Sequence, residues 1–136
     1  MRPLAAKRHA RKPLPMIKLT FCLHRLPNLT REQFQKYWYE KHAPLVAKNR
    51  EILRIRRYVQ MHSLSHQANN AIRTTRMGPE MYDGVAELWW DSIDDVLGNP
   101  SPERQAAGLE LLEDERKFID LSRSPLWFGE EKTIFG

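Results

Sequence analysis

Three residues of this 136-residue chain have side chains suited to moving a proton on an organic molecule, and each sits in an unusual place. His42 lies in YWYEKHAPLV, one helical turn after Trp38 and two residues before Pro44. Imidazole titrates near neutrality and a helix end tunes it, so His42 suits general acid or base work. A core histidine bonded to a carbonyl freed by Pro44 is the competing reading. Tyr58, in RRYVQMH, carries a phenol able to donate to a developing oxyanion or enolate, or a ring that simply packs on a sheet. Glu87 is a carboxylate inside the apolar run GVAELWW, where an inward side chain needs Arg56, Arg57 or a histidine as partner, or a shifted pKa.

Other chemistries lack their residues. No Gly-rich phosphate loop or nucleophile elbow is visible. Cys22 and His24 share a strand face but stand roughly 7 Å apart, too far for a Cys–His nucleophile pair. His62 and His66 straddle a strand end without further ligands, so no metal is expected. The single cysteine leaves no intramolecular disulfide, which suits a reducing, cytoplasmic setting.

The elements that must position these residues follow from periodicity. MIKLTFCLH alternates, with Ile17, Leu19, Phe21 and Leu23 on one side and Lys18, Thr20, Cys22 and His24 on the other. TREQ (30–33) fits a capping box and starts a helix carrying Phe34, Tyr37, Trp38, Lys41 and Leu45 at helical spacing. Pro44 predicts that this helix stops or kinks near His42 and restarts. A second strand from Ile55 puts Tyr58, Gln60 and His62 on one face. The polar segment 64–81 is long for a connection, and reads as partly helical or as a lid. YDGVAELWWDS is a third strand. Ser92 caps a short helix, and Ser101 and Pro102 open a longer one with Leu111, Leu112, Glu115, Phe118 and Ile119 on or near one face. SRSPLWFGEEKTIF supplies a Pro-led final strand.

Strand, helix, strand, strand, helix, strand is the ferredoxin-like βαββαβ arrangement, an α+β fold with helices on one face of a four-stranded antiparallel sheet. Trp89 and Trp90 project to opposite faces, so the face without helices calls for a cover, and a second copy of the chain pairing sheet to sheet provides one.

The net charge of +5 suggests nucleic acid until it is divided along the chain. Five of the 22 Lys and Arg lie in residues 1–15 with no acid, and the remaining 17 equal the 17 acidic residues. A neutral body speaks against a phosphate-binding face. The first 15 residues therefore read as a disordered basic leader, with one domain over 16–136. No run approaches the length of a membrane span.

MIKLTFCLHRLPNLTREQFQKYWYEKHAPLV, RRYVQMH, YDGVAELWWDS and DERKFIDLSRSPLW, in this order, resemble the EthD family of the dimeric α/β-barrel superfamily. The resemblance implies a cofactor-free homodimer with a small-molecule pocket beside each sheet. In isomerase-like cousins a histidine and a tyrosine at the positions of His42 and Tyr58 line that pocket. The expectation is a cofactor-independent enzyme moving a proton on a hydrophobic, oxygen-bearing molecule in a catabolic or secondary-metabolite step. A non-catalytic dimeric accessory protein that holds such a molecule is the alternative, and a haem-binding barrel the weaker third. His42, Tyr58 and Glu87 are the candidate catalytic residues. Trp38, His24, His62 and Trp89 are candidate ligand contacts, though Trp38, Trp89 and Trp90 read first as core and interface.

Overall fold

A computed structural model describes residues 16–136, and the expected basic leader lies outside the described residues. Four strands, β1 (Ile17–Leu23), β2 (Arg57–His62), β3 (Gly84–Trp90) and β4 (Leu126–Glu130), form one antiparallel sheet in the order β2-β3-β1-β4. This is the ferredoxin-like order expected of the βαββαβ pattern. The final strand is shorter than the run that suggested it, ending at Glu130.

The register sets the two faces. Leu19, Phe21 and Leu23 of β1 lie beside Leu88, Ala86 and Gly84 of β3, and Tyr58, Gln60 and His62 of β2 continue the same face. Helices cover it. The first is a continuous helical rod in three parts: α1 (Arg31–Tyr37), a π turn (Trp38–His42) and α2 (Ala43–Lys48). Its start is the capping box foreseen at Thr30, whose hydroxyl accepts from the Gln33 amide while Gln33 reaches back to the Thr30 amide. Pro44 neither stops nor breaks the helix. It has no amide to donate and its ring crowds the carbonyl of Glu40. The backbone answers by widening one turn, so that the Ala43 amide bonds the Trp38 carbonyl five residues back. Such π turns recur at functional sites.

Segment 64–81 is partly helical, as α3 (Gln67–Thr75), and buries none of its residues. His66 is its N-cap, with Nδ1 accepting from the Ala68 amide. Two further helices, α4 (Ile93–Leu97) and α5 (Pro102–Glu115), each begin at a serine cap, Ser92 and Ser101. Leu23, Phe34, Trp38 and Phe118 are the largest fully buried side chains and join β1, the helical rod and the residues after α5. A buried carboxylate fixes how the rod enters this core. Asp83 accepts from the Arg25 amide and from the guanidinium groups of Arg25 and Arg31, tying the end of β1 and the first residue of α1 to the approach of β3.

The opposite sheet face is more polar than the paired tryptophans suggest. Trp89 points there, but it is only 6% exposed. Lys18 and Arg57 lie over its ring at 5.0 and 4.7 Å, and its indole donates to Glu131. The open aromatic on that face is Trp127, at 53% exposure.

Gly84 positions the rod against the sheet. A Cβ there would lie 2.4 Å from the Trp38 ring and 2.8 Å from the Met61 carbonyl oxygen. Gly84→Ala should therefore lower stability by about 1–3 kcal/mol, read as a lower urea midpoint. An unchanged midpoint would mean that Trp38 has room to move.

Candidate active site

The π turn delivers His42 to the interior, 5% exposed, with its ring 5.1 Å from that of Phe118. Its partner is not a freed carbonyl but a carboxylate. Nδ1 lies 2.8 Å from Oδ2 of Asp114, near the end of α5, and the Tyr37 hydroxyl donates to the other oxygen at 2.6 Å. Burial alone would raise the Asp114 carboxyl. The hydrogen bonds from Tyr37 and His42, with help from Lys117, instead hold it below the usual carboxylate range.

An ionised carboxylate only accepts, so Nδ1 of His42 carries the hydrogen and Nε2 keeps a free lone pair in the neutral ring. Burial lowers the His42 pKa, and the Asp114 bond and charge oppose it. The net direction is toward a neutral imidazole, the form that acts as a base. Nε2 makes no hydrogen bond among the described residues.

His42 lines a cavity of about 190 Å³ between the sheet and the helices. Its walls are aliphatic and aromatic, with Leu19, Ala86, Leu88 and Trp90 from the sheet and Leu111 from α5. The charged or titratable groups along it are His42, Tyr58, Arg104 and Glu115. A wider polar groove of about 640 Å³ beside α3 shares no residue with it.

Tyr58 is held for donation. The Gln60 amide nitrogen donates to the Tyr58 oxygen at 2.7 Å and to the Trp38 carbonyl at 3.0 Å, and the Gln60 oxygen faces His62 Nε2 at 2.8 Å. Burial lowers the His62 pKa, so the ring is neutral and donates from Nε2. His62 also stacks on Trp38, with centroids 4.6 Å apart. The Tyr58 oxygen thus accepts within the protein and its own proton is left for the cavity. Burial pushes this phenol up to about 12, against donors from Gln60 and Trp38. It stays protonated at neutral pH.

The remaining sequence candidates are placed elsewhere. Glu87 is on the opposite sheet face, bonded to Lys18 at 2.9 Å, so it does not reach His42 within the protomer. The alternation that carries Ala86, Leu88 and Trp90 inward carries Glu87 and Trp89 outward. His24 lies beyond β1, its ring tilted against that of Tyr82 with centroids 4.6 Å apart. The cavity carboxyl is Glu115, already legible as a member of an apolar helical stripe though not read there as a functional group. Burial, then the nearby Asp114 charge, raises it to about 7. Asp114 and Arg104 were not anticipated. Both belong to polar helical runs that look solvated in sequence.

A family model described as the EthD domain matches residues 26–122. No curated protein matches. Among solved structures, an ethyl tert-butyl ether D (EthD) family protein from Bacillus halodurans superposes with a TM-score of 0.56 at 23% identity, over 86% of this chain and 99% of its own. An EthD-like protein from Ralstonia eutropha gives 0.57 at 15% identity, over 90% and 95%. A dimeric protein of unknown function and ferredoxin-like fold from Bacteroides fragilis gives 0.54 at 15%, over 85% and 96%. At these identities the structures share the fold.

The raised Glu115 pKa has a signed consequence for stability. Folded, this carboxyl holds its proton up to about 7, against an ordinary 4.5. The stability that the protonated form contributes is complete below 4.5 and is lost as pH rises through about 7. Glu115→Gln keeps a neutral side chain at every pH. Relative to the unmodified protein it should gain about 2–3 kcal/mol between pH 5 and pH 8, measured by urea unfolding at both. A constant difference between the two proteins would put Glu115 in water.

Proposed function

The chain belongs to the EthD domain family, and from the chemistry of its cavity we propose a cofactor-independent enzyme that moves a proton on a hydrophobic, oxygen-bearing small molecule. One observation carries the reading: the Asp114–His42 pair presents an unbonded Nε2 to an apolar cavity that also holds a neutral phenol and a carboxyl titrating near 7. Two titratable groups with pKa values pushed in opposite directions mark a base and an acid.

In the proposed step His42 Nε2 takes a proton from a carbon next to a carbonyl. The Asp114 carboxylate stabilises the imidazolium that forms and keeps the ring oriented, as a buried aspartate does in other Asp–His pairs. Tyr58 donates to the carbonyl oxygen as it acquires enolate charge. Protonated Glu115 returns a proton to the carbon skeleton at a second position. One proton leaves and one arrives, so the product is an isomer of the substrate. Transfer of the proton from His42 back to Glu115, through solvent or directly, resets the site. Trp38 and His62 act at one remove by setting Gln60, which orients Tyr58. The catabolic or secondary-metabolite step is part of the same proposal, as is a cytoplasmic location, where the free thiol of Cys22 stays reduced.

A homodimer through the face opposite the helices completes the reading. The dimeric Bacteroides fragilis protein of the same fold supports it, as do Trp127 and Met61, exposed on the two edge strands of the outward sheet face. Glu87 and Trp89 would then serve the interface rather than the cavity. Trp127→Asp should shift sedimentation from dimer to monomer; a native monomer in the unmodified protein at micromolar concentration would reject the dimer.

Catalysis is tested by exchange of carbon-bound protons for deuterium, followed by NMR on a panel of γ-lactones and cyclic ketones in D2O. His42→Ala should slow the exchange about 10²- to 10⁴-fold, and Tyr58→Phe by less. A folded His42→Ala protein with unchanged exchange would return His42 to a structural role and the cavity to simple binding.

A further inference from the structure

Arg104 is not used by the proton-transfer chemistry, yet it lines the same cavity. Its Nη2 donates to the carbonyls of Asp95 at 2.7 Å and Val96 at 3.1 Å, at the end of α4. Its Nη1 is buried and has no hydrogen-bond partner. Among the described residues no carboxylate forms an ion pair with it; the nearby Asp95 side chain pairs with Arg54 instead. A guanidinium cannot lose its charge, and a buried N–H left unpaired costs free energy. Arg104 thus places a cation with no carboxylate partner, and one buried unused donor, among the residues that line an otherwise apolar cavity.

Its place on α5 completes the geometry. Arg104, Leu111 and Glu115 are spaced by seven and four residues, which puts them on one face of the helix. Arg104 and Glu115 are about 16 Å apart along the axis. The cavity therefore has a cationic end at Arg104, an apolar middle at Leu88, Trp90 and Leu111, and a proton-transfer end at His42, Tyr58 and Glu115. Its size, about 190 Å³, compares with the ~150 Å³ that holds benzene, and suits a ligand of about ten non-hydrogen atoms.

We propose that the cavity takes a small apolar molecule bearing a carboxylate, and that this carboxylate docks on the guanidinium of Arg104. The inference rests on the cavity being the ligand site, and it names the substrate class: an anion at one end, with the reacting carbon toward His42. The carboxylate neutralises the guanidinium and supplies the missing acceptor, in the charge-assisted geometry that arginine favours. Arg104 is a binding residue in this scheme and takes no part in moving the proton.

The experiment compares cyclohexanecarboxylate with cyclohexylmethanol, the same ring with and without the charge, by isothermal titration calorimetry at pH 8. The unmodified protein should bind the carboxylate about 10- to 100-fold tighter. Arg104→Met should remove that preference, lowering carboxylate affinity by the same factor while the alcohol stays within twofold. Equal affinities for the two probes in the unmodified protein would overturn the proposal, since a water would then satisfy Nη1 as well as an anion. A preference that survives Arg104→Met would overturn it too. If Arg104→Met does not fold, the two-probe comparison in the unmodified protein decides alone. The outcome is separable from the catalytic reading: proton exchange in a protein indifferent to the carboxylate removes the anion site and keeps catalysis, whereas carboxylate preference without exchange does the reverse.

Discussion

The architecture of the cavity depends on one buried carboxylate. Asp114 is 8% exposed, and it joins α5 to the helical rod on the sheet through Tyr37 and His42. An unpaired carboxylate at that depth would cost several kcal/mol or take up a proton. Two short hydrogen bonds remove that cost, and in doing so they fix the imidazole tautomer. A structural requirement and a chemical one are met by the same contact. The π turn serves both as well: it accommodates Pro44 within a continuous rod, and it carries His42 to Asp114.

Much of the fold was legible because its signals are local. The alternation of MIKLTFCLH, the Thr30–Gln33 box and the serines before α4 and α5 each name an element through its own hydrogen bonds or its own period. The order of elements then leaves few topologies. His42 and Tyr58 were legible as well, the first by its distance from Trp38 and Pro44, the second by sharing a strand face with Gln60 and His62. Lengthening of one helical turn was not. Proline announces a lost amide, but whether the chain breaks, kinks or widens depends on what the neighbouring carbonyls find, and the Trp38 carbonyl finds Gln60 from another element.

The carboxylates show where local reasoning stops. Glu87 looked like the buried one because both faces of its strand carry large apolar residues, so alternation could not say which face receives the helices. Tertiary packing assigned that face to Ala86, Leu88 and Trp90 and gave Glu87 to Lys18. Asp114 and Glu115 stand in LEDERK, a run that reads as a solvated helix end. A dense charge run conceals a buried member because spacing records direction around a helix and not depth. Glu115 was the recoverable one, since it falls in step with Leu111 and Ile119. Arg104 gave no sign at all; its meaning lies in an unpaired nitrogen, which only three-dimensional contacts reveal.

Neighbouring groups with divergent pKa values give the cavity its chemical direction. Asp114 is held ionised, Glu115 beside it is pushed toward its acid form, and His42 is kept neutral. All of this follows if the hydrogen between His42 and Asp114 sits on Nδ1. Long-range proton–nitrogen correlation on protein labelled with 15N-histidine reads that tautomer directly. The account predicts, at pH 7, a neutral His42 ring with Nδ1 protonated and Nε2 bare. A ring protonated on Nε2, or an imidazolium at that pH, would contradict it.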